Sequence, residues 1–460
     1  MRRLLAIIGP ALLVSVGYMD PGNWATDLEG GARFGYRLLW VLVVSNAIAL
    51  LLQTLSARLG IITGLSLAQC CRAHYSRAIN ITLWLAAEVA IVACDMAELL
   101  GSAVALNMLF GIPLIPGALL TALDVLLLLA LQRTGRGMVE ACVLSLLVVI
   151  ALCMGFELVA AKPPLGEIAS GLVPRIDGAS LYIAIGMLGA TVMPHNLYLH
   201  SALVPHAPLG HATNAQRERL LSASTKTTAL ALNAALLVNA AILVLAAAVF
   251  SGQDVPTTDL RDAHQLLTPL TGAAFASVLF AVALLCSGQS ATLTGTLAGQ
   301  VVMEGFMRLQ LSPVTRRALT RAVAIVPAVI ALWWSGDGAT AQLLVASQVV
   351  LSLQLPFAVI PLIRFTSSPA IMGPHVARPL VRRLAQACAL LVCCANAVLV
   401  AGVIGEWHTR APVAASIFAA LALAALLFLG LITTTRLRGG RGRSRRRLEL
   451  GQVPEPEYPS

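Results

Sequence analysis

Charged side chains are scarce in this sequence. Asp, Glu, Lys and Arg make up 11% of its 460 residues, whereas hydrophobic residues make up 58% and the mean hydropathy is +0.84. Soluble domains carry about 25% charged and about 45–50% apolar residues, so the composition excludes an ordinary soluble protein. It indicates an integral membrane protein, in which the excess of 31 basic over 21 acidic residues is a topology signal and not a nucleic-acid-binding surface.

Paired cysteines and a cleavable leader are also missing. The nine cysteines include no Cys-x-x-Cys pair, so they are predicted to be small buried side chains and not zinc or redox sites. The first apolar segment, Met1–Tyr18, begins with two arginines but leads into Asp20-Pro21-Gly22-Asn23 instead of an Ala-x-Ala cleavage site. We therefore expect this segment to be a membrane span and not a signal peptide.

Long apolar runs dominate what is present. A helix needs about 20 apolar residues to cross the hydrocarbon of a bilayer, and the chain contains twelve such runs. The sequence therefore predicts an all-α integral membrane protein with 12 spans. The predicted spans cover about residues 4–32, 37–57, 79–107, 113–132, 137–160, 179–202, 221–250, 269–303, 318–335, 339–364, 384–405 and 412–435.

The basic residues are distributed unevenly over the connections between these spans. With the N-terminus in the cytoplasm, about twenty-five of the 31 Lys and Arg residues fall on the inner side. This asymmetry predicts that both termini are cytoplasmic and that the number of spans is even. The basic stretch Arg436–Arg447 is interpreted as an anchor beside anionic lipid, and residues 448–460, which contain three prolines, as a disordered tail.

Two predicted spans contain a proline among polar residues. The first span contains Asp20-Pro21-Gly22-Asn23 and the sixth contains Met193-Pro194-His195-Asn196. Proline removes a backbone donor and clashes with the preceding turn, and polar groups are costly at membrane depth. We therefore expect both helices to be unwound there, as in transporters built from inverted repeats. The alternative is that both prolines merely kink structural helices, which leaves the flanking polar residues unexplained.

The paired breaks also predict the domain organisation. Residues 1–160 would form the first repeat with spans one to five, and residues 179–365 the second repeat with spans six to ten. Spans eleven and twelve, residues 384–435, would be additions to these repeats. Residues 436–460 would form a cytoplasmic tail that is first basic and then rich in proline.

The residues at the two breaks form a mixed set of possible metal ligands. Asp20 offers an anionic oxygen, Asn23 an amide oxygen, Ala190 an unwound carbonyl and Met193 a thioether sulfur. Oxygen ligands alone suit Mg²⁺ or Ca²⁺, whereas a sulfur ligand shifts the preference toward softer transition metals. A single carboxylate leaves a divalent ion incompletely neutralised, which favours release as well as binding. The alternative for Met193 is an ordinary packing side chain.

These motifs resemble the Nramp family of proton-coupled divalent metal transporters. The resemblance covers about residues 6–370 and implies a LeuT-type fold, with two inverted five-helix repeats, helices 1 and 6 broken, and two extra C-terminal helices. It also implies import of Mn²⁺, and of Fe²⁺, Co²⁺ or Cd²⁺, with proton influx by alternating access. The matching segments are Asp20–Asn23, Gly186–Val204, Asp95-Met96-Ala97-Glu98, Gly299–Phe306, Ser347-Gln348 and Leu355-Pro356-Phe357.

The resemblance assigns roles to individual residues. It places Asp20, Asn23, Met193 and the carbonyl of Ala190 at the metal-binding positions. It identifies Gln348 in span ten as the amide that closes over the ion, with Gln354 as an alternative.

The chain departs from the family pattern in two places. Gly17 stands where an alanine carbonyl is common, which hardly changes the chemistry. Trp24-Ala25-Thr26-Asp27 is bulkier and more acidic than the usual Phe-Ala-Thr-Asn, so it either alters a gate or adds a carboxylate near the site.

Span three carries three acidic residues on nearly one helical face. Glu88, Asp95 and Glu98 are separated by seven and three positions, and carboxylates in lipid must face protein or water. Buried carboxylates can take up and release protons, and Arg321 in span nine is a natural counter-charge. The alternatives are structural salt bridges for Glu88 and for the pair of Asp95 with Arg321.

Two histidines of span six complete the predicted proton pathway. His195 and His200 lie five positions apart, and imidazole is the side chain that titrates nearest physiological pH. The resemblance implies a proton route from Asp20 past Asp95 and Glu98 toward the inside. The alternative for both histidines is a buried structural role.

The sequence therefore predicts a transporter and not an enzyme, without a permanently bound cofactor. Its partners would be divalent metal ions as substrate, protons as coupling ions, and lipids of a bacterial inner membrane. An enzyme would need a nucleophile and base or a closed metal site, which these histidines do not provide. The alternatives are a sodium-coupled organic-solute symporter of the same fold, a Mg²⁺-selective relative, which Met193 argues against, a channel and a metal sensor.

Overall fold

The computed structural model shows a protein built almost entirely of helices. It describes residues 2–121, 123, 136–204, 213–252, 260–272, 275–309, 311–336 and 338–437. Two short 3₁₀ turns, Gly35–Leu38 and Gly373–His375, join longer elements. The α-helices in chain order are α1 Arg2–Gly17, α2 Pro21–Phe34, α3 Leu39–Thr63, α4 Leu67–His74, α5 Arg77–Phe110, α6 Leu114–Thr121, α7 Arg136–Ala161, α8 Leu165–Ser170, α9 Gly178–Thr191, α10 Pro194–Leu203, α11 Asn214–Phe250, α12 Leu260–Thr271, α13 Ala276–Met307, α14 Pro313–Ser335, α15 Ala339–Thr366, α16 Pro369–Met372, α17 Pro379–Arg410 and α18 Pro412–Thr434.

The long helices agree with the apolar runs of the sequence. Within the described ranges, eight segments are long and apolar enough to cross a membrane, and α14 contains a shorter apolar segment, Ala318–Trp334. The count of 12 spans stays a prediction, because α9 and α10 are too short to qualify singly. Half of the predicted fourth span, nearly all of the basic stretch Arg436–Arg447 and all of residues 448–460, which were predicted to be a disordered tail, lie outside the described residues.

One predicted boundary is wrong. The eighth span was expected to begin at residue 269, but residues 269–271 belong to α12, and the spanning helix α13 begins only at Ala276. Gly272 has a positive φ of 68°, and this left-handed conformation ends α12 before α13 begins. Hydropathy alone does not separate the two helices, since both are apolar at this junction.

The two predicted breaks are confirmed, and they lie at the centre of the helical assembly. Helix α1 ends at Gly17 and α2 begins at Pro21, while α9 ends at Thr191 and α10 begins at Pro194. Helix α2 packs against α5, α9, α11 and α15, and α10 packs against α3, α13 and α15. The polar residues of both breaks are therefore surrounded by protein, as unwound backbone at membrane depth requires.

The C-terminal helices lie at the periphery. Helices α17 and α18 pack against each other and against α15, and most of their apolar surface is exposed. Exposed leucines such as Leu421 and Leu427 form a surface suited to lipid. These helices therefore lie outside the core and contribute no residue to the breaks.

Candidate functional site

Each break leaves one backbone carbonyl without its helical donor. A carbonyl in an α-helix accepts from the N–H four residues later, and proline has no N–H. Pro21 stands four residues after Gly17, and Pro194 stands four residues after Ala190. The prediction that Ala190 lies in unwound backbone is wrong, because Ala190 lies in the last turn of α9. Its carbonyl is available because of Pro194 and lies at the negative end of the helix dipole.

Asp20, Asn23 and Ala190 are joined by hydrogen bonds across the two breaks. Asp20 Oδ1 accepts from the backbone N–H of Asn23 at 2.9 Å and from Asn23 Nδ2 at 2.7 Å. The same Nδ2 donates to the carbonyl of Ala190 at 3.1 Å. The amide nitrogen thus lies between a carboxylate oxygen and a backbone carbonyl oxygen, two atom types that can act as cation ligands.

Met193 is held at the second break by packing and by one polar contact. It is fully buried, it precedes α10 with extended dihedral angles, and it packs against Ala90 of α5 and Leu351 of α15. Asn196 Nδ2 lies 3.6 Å from its sulfur. A Cβ atom on Gly17 would lie 2.3 Å from that same Nδ2, so the glycine at this position leaves the room that Asn196 occupies. The glycine that stands here in place of the family's usual alanine is thus explained by packing against Asn196.

Gln348 of α15, the amide predicted to close over the ion, lies against the first break at Gly22. Its Nε2 donates to Ser347 Oγ at 3.0 Å, while its Oε1 is buried and has no hydrogen-bond partner in the described part of the chain. The side chain lies directly over Gly22, where an added Cβ would be 1.7 Å from Gln348 Nε2. Asp20, Asn23, Ala190, Met193 and Gln348 are all buried, so the site is occluded.

If Gln348 takes part in metal binding as the sequence predicts, replacing Gly22 by Ala should lower Mn²⁺ affinity by about 10–100-fold, the usual cost of disturbing a residue that orients a metal ligand. The new methyl group would displace Gln348 from the site. Isothermal titration of the purified protein checks this. Gly30→Ala on the same helix is the matched control, because its Cβ meets other atoms only at 3.5 Å or more.

The double variant Gly22→Ala/Gln348→Ala tests the cause. If both substitutions act on the same amide, the double variant should bind Mn²⁺ no more weakly than Gln348→Ala alone. Additive losses would mean that Gly22 matters for another reason.

Asn239 also lies at the first break, although it was not predicted from the sequence. This residue of α11 donates from Nδ2 to the carbonyl of Tyr18 at 2.7 Å and to Asn23 Oδ1 at 3.4 Å. It therefore stabilises the first break from a neighbouring helix. An amide in the apolar run of span seven is costly in a membrane, and that cost was the signal available in the sequence, although Asn233 of the same run gives the same signal.

The acidic residues of α5 lie beside the second break. Asp95 and Glu98 are buried, and Glu98 Oε2 accepts from Thr292 at 3.1 Å. Arg321, also buried, donates to the backbone carbonyl of Asp95 at 3.0 Å and to Thr292 Oγ1 at 3.2 Å. The structure thus brings together the two acids and the arginine that the sequence proposed.

Glu88 is engaged differently. It forms a salt bridge with Arg316, whose Nη2 is 3.2 Å from Glu88 Oε2, and its Oε1 accepts from Trp84 at 2.9 Å. This geometry favours the structural alternative for Glu88. The partner Arg316 was not predicted from the sequence, where it is one of two adjacent arginines just before the predicted ninth span.

The two histidines of α10 face different helices. His195 Nε2 lies 3.8 Å from the sulfur of Cys94 on α5, whose thiol is 3.6 Å from Glu98 Oε1. His200 Nδ1 is instead 2.9 Å from Gln53 Oε1 of α3. The structure therefore places His195 beside the α5 acids and His200 apart from them, toward α3.

The described residues contain no group of three or more His, Cys, Asp or Glu side chains that could hold a metal ion. The mixed set at the breaks suits an ion that is bound and then released as substrate.

Comparisons with known proteins identify the family to which this chain is similar. The family model for "Natural resistance-associated macrophage protein-like" proteins, Nramp, matches residues 11–402. The divalent metal cation transporter MntH of Xanthomonas campestris pv. campestris is 54% identical over 395 residues, which are 85% of this chain and 89% of that protein. MntH of Bradyrhizobium diazoefficiens is 53% identical over 404 residues, 87% of this chain and 90% of that protein.

Solved structures show the same architecture. A variant of the manganese transporter of Eremococcus coleocola matches with a TM-score of 0.85 and 34% identity, over 94% of both chains. Mhp1, a nucleobase-cation-symport-1 family transporter, matches with a TM-score of 0.59 and 13% identity, over 96% of this chain and 95% of that chain, which shows the fold alone.

The fold and the two breaks define a membrane transporter of the LeuT type, with broken first and sixth helices. The sequence prediction of this fold class is confirmed. The chain belongs to the Nramp family. Members of this family are metal ion transporters, so the prediction of a transporter instead of an enzyme is confirmed as well.

Proposed function

We propose that this protein imports Mn²⁺, and related ions such as Fe²⁺, Co²⁺ and Cd²⁺, by alternating access. The observation that carries the proposal is the meeting of Asp20, Asn23 and the Ala190 carbonyl across the breaks, with the sulfur of Met193 at the second break. Sulfur favours transition metals over Ca²⁺ and Mg²⁺, and the names of the relatives agree with this substrate class. Gln348 would complete the coordination in the occluded state.

The protein would act in a bacterial inner membrane with both termini in the cytoplasm. The excess of basic residues on one side of the predicted spans supports this orientation. Residues 1–160 and 179–365 would be the two inverted repeats, each contributing one broken helix, while residues 384–435 and the tail 436–460 would lie outside them. Alternating access would move the half-helices around a central ion.

Equilibrium binding tests the metal assignment. The purified wild-type protein should bind Mn²⁺ at least about tenfold more tightly than Ca²⁺ or Mg²⁺, which corresponds to about 1.4 kcal/mol. Isothermal titration with each ion measures the difference. Equal affinities for Mn²⁺ and Mg²⁺ would favour a Mg²⁺-selective transporter, and binding of sodium alone would favour a sodium-coupled symporter.

Proton influx would be coupled to metal entry through Asp20, Asp95, Glu98 and His195, with Arg321 as the counter-charge. The buried chain from His195 through Cys94 to Glu98, beside Asp95 and Arg321, supports this route. Glu88 and His200 lie at its margins. Glu88 is paired with Arg316, and His200 with Gln53, so their part in proton transfer is proposed as secondary.

Replacing Asp95 by Asn should uncouple the two fluxes. Asparagine keeps the size of the side chain and leaves intact the hydrogen bond from Arg321 to the backbone carbonyl of residue 95, but it cannot carry a proton. We expect Mn²⁺ affinity to change by less than about threefold (about 0.65 kcal/mol), because Asp95 lies on a different helix from the metal ligands. Proton influx that accompanies Mn²⁺ should fall sharply, as measured with a pH-sensitive dye inside vesicles.

The thermal stability of Asp95→Asn in detergent distinguishes a proton-carrying role of Asp95 from a structural role. If Asp95 mainly neutralises Arg321, its loss would leave a buried charge uncompensated and cost about 3–5 kcal/mol. An unstable variant whose remaining folded fraction still couples protons to Mn²⁺ would contradict the relay.

A further inference from the structure

Asp27 is a buried carboxylate that is not among the proposed ligands of the metal site. Its side chain is fully buried in α2, and neither of its oxygens has a hydrogen-bond partner in the ranges that the structure describes. Burying an unpaired carboxylate in a protein interior is costly unless a cation or a proton compensates it. Packing alone thus does not account for an acid at this position.

The helix geometry shows which neighbour Asp27 faces. Residues four apart lie on the same side of a helix, so Asn23, Asp27 and Gly31 form one row along α2. Asn23 accepts a hydrogen bond from Asn239 of α11, and a Cβ on Gly31 would lie 2.4 Å from the carbonyl oxygen of Leu243 of the same helix. Asp27 therefore lies at the α2–α11 interface, about 6 Å along the axis from Asn23.

A second oxygen without a partner lies at the same interface. Asn239 uses its Nδ2 for two hydrogen bonds, but its Oδ1 is buried and has no partner in the described residues. The interface thus holds a carboxylate and an amide oxygen whose acceptor capacity is unused. Carboxylate and amide oxygens are the ligands of hard divalent cations, and the sulfur of Met193 belongs to the other break.

We propose that Asp27 and Asn239 Oδ1 form a second cation site, which holds an incoming divalent ion before it reaches the central site. The proposal rests on the proposed function for the direction of transport: with a cytoplasmic N-terminus, Asp27 lies on the outer side of Asn23. A carboxylate in a low-dielectric surrounding concentrates cations beside the central site. Because this outer site has no sulfur, it admits Ca²⁺ as well as Mn²⁺, and selection between them occurs at the central site.

Binding to a protein with a disabled central site tests the proposal. Asp20→Ala removes the carboxylate of the central site, and electron paramagnetic resonance measures free Mn²⁺ during titration. We expect Asp20→Ala to retain one weaker Mn²⁺ site that Ca²⁺ displaces. The double variant Asp20→Ala/Asp27→Asn should lose it. Asp20→Ala/Glu157→Gln is the matched control, because Glu157 of α7 is also buried with two oxygens that lack partners among the described residues, and this variant should retain the site.

A kinetic measurement gives an independent readout. In otherwise wild-type protein, Asp27→Asn should raise the KM for Mn²⁺ by about tenfold, the lower range of electrostatic focusing, with little change in the maximal rate. Asp27→Ser, also neutral and smaller, takes its place if Asp27→Asn does not fold.

Two results would overturn the outer site: absence of residual Mn²⁺ binding in Asp20→Ala, or residual binding that persists in both Asp27 variants. Failure of the wild-type protein to bind Mn²⁺ is a different outcome, because it would overturn the proposed function and the outer site with it.

Discussion

Replacing Asp20 by Ala is expected to abolish Mn²⁺ transport. Asp20 supplies the single carboxylate of the first break, and its Oδ1 already accepts from the amide that stands where the ion would bind. Loss of a residue that merely supports a ligand lowers metal affinity about 10–100-fold, so loss of the anionic ligand should cost more than about 100-fold. Uptake of Mn²⁺ by reconstituted vesicles measures the effect.

Asp20 also caps α2, and this second role must be separated from metal binding. The side chain accepts the backbone N–H of Asn23, and removal of such a cap costs about 1 kcal/mol. Asp20→Asn keeps a capping oxygen and removes the charge. If the negative charge of Asp20 is required for transport, both variants lose transport and only Asp20→Ala loses stability. Uptake near the wild-type rate in Asp20→Asn would contradict the assignment of the site.

Replacing Met193 by Ala should change which ions compete with Mn²⁺. Its sulfur lies at the second break within reach of Asn196, and Ca²⁺ gains little from a thioether ligand. Without the sulfur, inhibition of Mn²⁺ uptake by Ca²⁺ should strengthen by about tenfold, or about 1.4 kcal/mol, while Mn²⁺ transport persists at a reduced rate. Competition uptake over a range of Ca²⁺ concentrations measures this.

Met193→Leu separates the sulfur from the packing. Leucine preserves the volume and the apolar contacts with Ala90 and Leu351, and such swaps cost less than about 1.5 kcal/mol. Both variants should lose discrimination against Ca²⁺ if the sulfur selects the ion. If Met193→Leu excludes Ca²⁺ as well as the wild type does, Met193 only fills space and selectivity has another origin.

The central features of the fold could be predicted because they have local causes. Pro21 and Pro194 interrupt apolar runs, and a proline in a helix both removes a donor and excludes the preceding turn. The same local rule, applied four residues back, explains why the carbonyl of Ala190 is available although that residue is helical. The paired breaks and the apolar runs therefore predicted a helical membrane transporter with two broken helices, and the family resemblance added the LeuT type.

The surroundings of the site could not be predicted because they depend on contacts between distant segments. Asn239 meets Tyr18 and Asn23 across more than 200 positions of sequence, and Arg316 reaches Glu88 across 228. Likewise, the reason for a glycine at position 17 is its close contact with the side chain of Asn196. A single sequence reveals that such residues are costly in a membrane but not which partner offsets the cost.

Uptake by wild-type protein in reconstituted vesicles tests the central claim most directly. Vesicles would be loaded with a metal-sensitive dye and offered Mn²⁺ or Ca²⁺, with and without an inward proton gradient. We predict Mn²⁺ entry that the gradient accelerates, together with little or no entry of Ca²⁺. Entry of Ca²⁺ at the rate of Mn²⁺, or Mn²⁺ entry indifferent to the gradient, would contradict a proton-coupled transition-metal transporter.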